Sequence, residues 1–283
     1  MKKILALLFT IFSAVALSSC AKPEAVKIKN IPLTDEPYAF AIAKENVELK
    51  TMVDEYIMQI TENGELENIV NSFFNGTATF EYSNPKSKNG CFVVATNAMF
   101  PPFEYYKGNK FTGIDIELAY NIANLLGKTL YIEDVDFTAV IPSVQAGHCE
   151  IGMAGLTVNA ERLENVNFSV SYYRSSQVIV VKESNTEFDT CTTAKEVENI
   201  LKQKKASYKI GAQNGTTGLM YARGDSGFGY KGFANISTIG FTSGALAIKD
   251  LSNGKIDAVI IDLQPAISIC KIINGTIKEN DIN

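Results

Sequence analysis

Four short segments of this chain carry side chains whose chemistry is worth following. In Ala154-Gly155-Leu156-Thr157 an apolar run ends on free backbone groups and a hydroxyl, with Arg162 close behind. A guanidinium so placed can hold a carboxylate with its planar fork. In the run IGAQNGTTG over 210–218 the glycines let backbone amides turn toward an anion, Thr216 and Thr217 add hydroxyls, and the helix that follows presents its positive end. This run lacks the lysine and the spacing of a nucleotide P-loop. Asp262 ends the apolar run 258–261, where a carboxylate serves either as the cap of the next helix or as counter-charge to a cation. Asn97 opens a loop containing Phe100, Pro101, Pro102 and Phe103; the prolines fix the backbone and the amide offers a donor and an acceptor. Each segment alone has an ordinary structural reading as surface arginine, helix cap or core aromatics. Together, a cationic fork, a hydroxyl-rich amide nest and a lone carboxylate match the two ends of a zwitterion.

The flanking patterns indicate what must position these groups. Residues 92–96 form a β-branched-rich strand pattern, 114–126 an amphipathic helix closed by Gly127, 129–135 a strand, 141–146 a short helix, and 151–154 and 258–261 further strands. Strands alternating with helices predict an α/β fold with a parallel sheet covered on both faces, whose ligands gather at the carboxyl ends of the strands. Upstream, Val47, Leu49, Met52, Val53, Tyr56, Ile57 and Ile60 recur at spacings of three and four, which predicts one apolar helical stripe. Asn63-Gly64 breaks it, and 65–74 reads as a shorter helix with Leu66, Ile69, Val70, Phe73 and Phe74 inward. Residues 77–90, polar and rich in breakers, read as a surface connector.

Composition narrows the function classes. A net charge of −5 does not supply the basic patches that nucleic acid demands. Cys91, Cys149, Cys191 and Cys270 show no C-x-x-C spacing, and His148 is the sole histidine, so neither a metal nor a cofactor is expected. Cys91 and Cys149 each precede a predicted strand; if those strands are parallel neighbours, a disulfide between them is within reach, and no pairing follows for the other two. Lys2, Lys3, the apolar run 4–17 and the small residues to Ser19 have the architecture of an export signal over 1–19, too short to span a bilayer.

The segments VVATNAMFPPFEYYKGNKFTGIDIELAYNIANLLGK, FTAVIPSVQAGHCEIGMAGLTVNAER, QNGTTG and DAVIIDLQPA resemble the polar amino-acid-binding proteins of bacterial ABC importers, solute-binding protein family 3, over nearly all of residues 91–270. The resemblance implies a two-lobed, type II periplasmic-binding-protein fold whose lobes, joined by two crossover strands, close over one L-amino acid. It implies that Arg162 and Thr217 hold the α-carboxylate, with Thr216 alongside and help from the backbone of Gly155, Leu156 and Thr157. Asp262 would then take the α-ammonium, and Phe100 and Phe137 would sandwich the side chain. Asn97 stands where several members carry an aspartate that meets the ligand's distal group, and Ala154 replaces a hydroxyl found in some relatives that bind basic amino acids. Glutamine-like and arginine-like ligands both stay open. Leu17-Ser18-Ser19-Cys20 resembles the bacterial lipobox, which implies cleavage before Cys20, acylation of that thiol and an exported protein, in the periplasm or at the cell surface, held to a membrane by its lipid through a linker over 20–25.

The resemblance also raises a question of order. Family members usually end with a segment of the kind EPYGIAV, two helices and an aromatic-glycine close; here the counterparts occupy 34–44 and the following helices, up to Phe73-Phe74-Asn75-Gly76. The expectation is a circular permutation. Residues 37–76 would be the family's usual C-terminal segment and 77–90 the connector between the old ends. Lobe one would hold 38–182, lobe two 26–36 plus 183–283, with crossovers near Pro37 and Lys182. The expected function is that of a monomeric extracytoplasmic receptor that binds a polar L-amino acid between its lobes and delivers it to an ABC importer permease. Two alternatives have other requirements. An enzyme of the same fold, such as cyclohexadienyl dehydratase, needs an acid or base over the ligand, for which Glu104 and His148 are the candidates; a ligand sensor needs a separate signalling partner.

Overall fold

The apolar runs of the sequence become the central strands of two separate sheets in a computed structural model, which describes residues 22–282. The chain opens with β1 (Val26–Lys29), β2 (Glu36–Tyr38), β3 (Ala41–Ile42), α1 (Val47–Glu62) and α2 (Glu65–Phe74). It continues through β4 (Phe92–Thr96), β5 (Met99–Phe100), β6 (Glu104–Lys107), β7 (Lys110–Thr112), α3 (Ile114–Leu125), β8 (Leu130–Asp134), α4 (Phe137–Gln145) and β9 (Ile151–Gly152). After α5 (Ala160–Asn165), β10 (Asn167–Phe168) and β11 (Tyr173–Ser175) come β12 (Gln177–Lys182), α6 (Ala194–Lys202), β13 (Lys209–Gln213) and α7 (Thr217–Arg223). The last elements are β14 (Ser237–Phe241), α8 (Gly244–Ser252), β15 (Ala258–Asp262) and α9 (Leu263–Ile282).

Among the described residues one sheet has the order β10-β3-β9-β4-β8 and the other β1-β12-β15-β13-β14. In the first, β4 runs parallel to both β8 and β9; in the second, β13 runs parallel to both β14 and β15. Each parallel core therefore sends its strand ends, and the loops that follow them, to one edge of its sheet. Each sheet is buried on both faces, which is why β4 and β15 read as unbroken apolar runs without alternation.

Two antiparallel strands, β2 and β11, pair Tyr38 with Tyr173 and link the two lobes. One expected boundary moves as a result. The crossover expected near Lys182 lies at β11, because Gln177–Lys182 is already an interior strand of the second sheet, paired with β1 on one side and β15 on the other. A Val/Ile run fits a buried strand of either lobe, so its pairing, not its pattern, decides which one it joins. The helix expected over 141–146 also begins earlier, at Phe137: Pro142 lies inside it, and its missing N–H does not prevent its carbonyl from accepting Ala146 N at 3.0 Å.

Helices α1 and α2 form no separate body. Leu49, Val53, Ile57 and Ile60 from α1, with Leu66, Ile69 and Phe73 from α2, share one buried core with Phe92, Val94 and Ile151 of the first sheet. Asn46 caps α1 by accepting from Leu49 N, while Val47, the first residue of the predicted stripe, is exposed. The connector over 77–90 is pinned along β8: the Tyr82 hydroxyl donates to Leu130 O at 2.6 Å, and the Asn84 amide exchanges both of its bonds with Ile132. Among the described residues no helix is long and apolar enough to cross a membrane.

Removing the Ile57 side chain, which is 1% exposed, should therefore weaken the whole first lobe and not only a terminal helix. Ile57→Ala is expected to cost about 2–5 kcal/mol in the urea unfolding transition. An unchanged main transition preceded by a separate early one would show that α1 folds apart.

Candidate functional site

The two sheets point their strand ends at each other across a narrow, nearly closed cavity. Among the residues expected from the sequence, Asn97, Phe100, Phe137, Gly155, Thr157, Arg162, Thr216, Thr217 and Asp262 all line it, and Gln213 joins them. Leu156 does not: its side chain is in the core of the first lobe, and its carbonyl accepts Ala39 N at 3.0 Å.

Arg162 is set by its own short helix. Asn159 caps α5 by accepting Arg162 N at 2.7 Å, which fixes the first turn and the direction of the guanidinium. The side chain is buried, yet its hydrogen bonds go to carbonyls: Nη1 donates to Thr157 O at 2.7 Å, and Nη2 reaches across the cavity to Gly215 O at 3.1 Å. Its charged carbon lies 5.6 Å from the centre of the Phe137 ring. Burial draws the guanidinium pKa down, opposed by the negative charges of Glu36 and Asp262.

The opposite charge comes from the second lobe. Asp262 does not act as a simple helix cap; its carboxylate accepts from the Tyr38 hydroxyl and, at 2.8 Å, from Gln177 Nε2. Burial, reinforced by the charge of Glu36, pushes its pKa up to about 7. A cation brought beside it would reverse that shift.

The rings and glycines shape the walls. Gly155, at φ +54°, packs so closely that a Cβ would sit 2.9 Å from Phe100, and Gly215, at φ +74°, would place one 2.7 Å from Thr138 in the facing lobe. Both positions combine a left-handed backbone with a neighbour that leaves no room for a side chain. Asn97 Nδ2 donates to Val135 O at 2.8 Å, and its Oδ1 accepts Gln213 Nε2 at 2.9 Å, so one amide pair bridges the lobes.

Sequence reasoning missed Glu36, Tyr38, Gln177 and Gln213. Two of the three cavity threonines donate their hydroxyls to Glu36 Oε2, Thr157 at 2.7 Å and Thr217 at 2.6 Å. Glu36 is fully buried, whereas Asp35 beside it is exposed and paired with Arg174; the local pattern does not separate the two acids. Gln213 carried one usable signal, its place as the polar end of an apolar strand. Thr216, for its part, turns its hydroxyl to Gln213 O at 2.8 Å.

The groups considered for other roles lie elsewhere. His148 is exposed, and Glu104 is wholly buried beside Asp115, outside the cavity lining. Cys91, Cys149, Cys191 and Cys270 are free buried thiols, and the Cys91 thiol donates to Ser87 O at 3.4 Å. Cys20 lies outside the described residues, and among those described no cluster could hold a metal ion.

A pair of facing α/β lobes with a charged, aromatic-walled cleft defines a solute-binding protein, and comparison with known proteins assigns the family. Residues 92–226 match the bacterial extracellular solute-binding proteins, family 3. The arginine-binding extracellular protein ArtP of Bacillus subtilis (strain 168) is 32% identical over 105 residues, 36% of this chain and 41% of that protein. An ancestral arginine-binding protein solved with glutamine bound is 32% identical, with a TM-score of 0.54 over 64% of this chain and 73% of that one. The ancestral amino acid-binding protein AncCDT-1, a precursor of cyclohexadienyl dehydratase, is 30% identical, with a TM-score of 0.55 over 65% and 75% of the two chains. This chain belongs to the family 3 extracellular solute-binding proteins. It spans 41–61% of the length of the first curated relatives it matches.

A buried acid pair under the Gly155 loop makes the fold sensitive to pH. Asp115 accepts Gly155 N at 3.0 Å and the Tyr172 hydroxyl at 2.6 Å, and burial pushes its pKa from 3.8 up to about 7. Burial and the adjacent Asp115 push Glu104 well above its ordinary range. A carboxyl raised in the folded state binds its proton more tightly there than in the unfolded chain, so its contribution is full at low pH and is lost as pH rises through the folded value. Stability to urea should fall between about pH 4 and about pH 7, and Asp115→Asn should reduce that slope, leaving the share of Asp262, which burial raises to about the same value. A slope wholly unaltered by the substitution would show that Asp115 contributes nothing to it.

Proposed function

We propose that this protein is an extracytoplasmic receptor that closes its lobes over one polar L-α-amino acid and delivers it to an ABC importer. The observation that carries this reading is the arrangement of charge in one cavity: a buried guanidinium bonded to carbonyls at one end and a buried carboxylate at the other. Burying a charge without an opposite partner is costly, and a ligand carboxylate that accepts from the Arg162 fork offsets that cost while an ammonium does the same for Asp262. The Asn97–Gln213 amides and the Phe100 and Phe137 rings would receive the side chain. Neutral amides accept N–H groups without demanding a charge, which suits both glutamine and arginine, the ligands of the ancestral relative's two solved complexes.

Catalysis has less support. A dehydratase needs an acid aimed at the leaving group, and the carboxyl lining the cavity, Asp262, already receives two donors, the setting of an anion waiting for a cation. Glu104 and His148 lie outside the lining. Lipid anchoring through Cys20, which would hold the receptor at the membrane, belongs to the same proposal and rests on the lipobox-like sequence.

The order of the chain is the second part of the proposal: residues 37–76 are the family's terminal segment moved to the front. Support comes from β3, which inserts between β9 and β10, and from α1 and α2, which complete the first lobe from the N-terminal side. Domain-sized rearrangements of this kind need only surface ends and a connector that can be spanned at modest entropic cost.

Arg162→Ala should reduce affinity for L-arginine or L-glutamine at least about 100-fold, since two charge-assisted hydrogen bonds at about 1.5–3 kcal/mol each are lost. Calorimetry that finds unchanged affinity would refute the carboxylate assignment. For the chain order, a rearranged protein that starts at Cys91 and carries 26–90 after its present C-terminus should fold and bind as the original does; failure to fold would count against permutation.

A further inference from the structure

The lobes meet at a buried carboxylate that the sequence did not single out. Glu36 lies on β2, one of the two strands joining the lobes, and is fully buried. Its Oε1 accepts from Thr34 Oγ1 at 2.8 Å, two residues before it in the chain. Its Oε2 accepts two hydroxyls at once, Thr157 Oγ1 at 2.7 Å from the loop after β9 of the first lobe and Thr217 Oγ1 at 2.6 Å from the start of α7 in the second. Thr217 Oγ1 in turn accepts Gln177 Nε2 at 2.9 Å, which also donates to Asp262, and Asp262 accepts the Tyr38 hydroxyl from the other end of β2. The chain of bonds leaves the hinge strand, crosses the floor of the second lobe and returns to the same strand.

A carboxylate in such a position is sensitive to lobe rotation. Hydrogen bonds to a charged acceptor are short and strong, and a buried carboxylate deprived of a donor bears the desolvation penalty of that loss. If opening the cleft turns Thr217 away from Thr157, Oε2 keeps at most one of its two hydroxyls. We propose that Glu36 is a closure latch: a positioning residue whose carboxylate ties one hydroxyl from each lobe to the hinge and so favours the closed arrangement, whichever small molecule the cleft receives. Both threonine protons then point at Glu36, and the Thr157 hydroxyl presents lone pairs, not a proton, to the cavity. On this assignment a ligand carboxylate depends on Arg162 and not on the threonine hydroxyls.

The test separates closure from ligand binding. Fluorescence energy transfer between dyes at the exposed positions Glu67 on α2 and Lys195 on α6 reads the distance between lobes. With no amino acid added, Glu36→Gln should shift the distribution to longer distances than the parent protein. Thr217→Val removes the same bond from the other side, so it should give a similar shift, and the double variant should add little to either. Where L-arginine or L-glutamine binds, Glu36→Gln should release it about tenfold faster, the scale of one charge-assisted bond. Identical distance distributions in the parent and in Glu36→Gln would overturn the latch, and so would fully additive effects of the two substitutions. The first arm uses no ligand, so it stands even if the amino-acid reading fails.

Discussion

Arg162 is the constraint around which the rest of the site is arranged. A guanidinium cannot shed its charge under ordinary conditions, and this one is buried, so the fold must supply it with acceptors or leave a serious energetic defect. The structure supplies carbonyls, one from its own lobe and one from the facing lobe. Carbonyl dipoles soften the burial without cancelling the charge. A site of this kind has most to gain from a small anion, and the negative charges of Asp262 in the second lobe and of Glu36 on the hinge strand bias the cavity toward a ligand carrying both signs.

The hinge makes that electrostatic arrangement conditional on geometry. Tyr38, Glu36 and Gln177 sit on or next to the strands that join the lobes, and each bonds to a residue of the cleft. Lobe rotation therefore changes the hydrogen-bond count of buried polar groups directly. Such a coupling gives closure a steep energetic preference without a large apolar interface. The close approaches at Gly155 and Gly215 work in the same direction, because walls this tightly fitted have few intermediate arrangements.

Much of this was legible in the sequence. The parallel strand ends could be read because a two-sided sheet needs unbroken apolar runs, and Arg162, Thr217 and Asp262 stood out because together, and not singly, they match the two ends of a zwitterion. The apolar stripes of the two helices, Leu49 to Ile60 and Leu66 to Phe73, were equally plain, and both pack into the core of the first lobe. Lobe membership of Gln177–Lys182 was not legible, since a Val/Ile strand carries no record of its neighbours. Glu36 was missed for a related reason: its function depends on two threonines far away in the chain, 121 and 181 residues on, and nothing local distinguishes it from the exposed Asp35. Leu156 lies in the expected segment, but its side chain packs into the core of the first lobe.

Recognition of both ends of an α-amino acid is the central claim, and ligand chemistry tests it more directly than mutation. Calorimetric titration of the intact protein with L-arginine, with arginine amide and with agmatine varies the α-carboxylate while keeping the guanidinium side chain. Binding of L-arginine, with affinity lost or sharply reduced for both analogues, is the result expected if Arg162 reads the carboxylate. Equal binding of agmatine and L-arginine would contradict it.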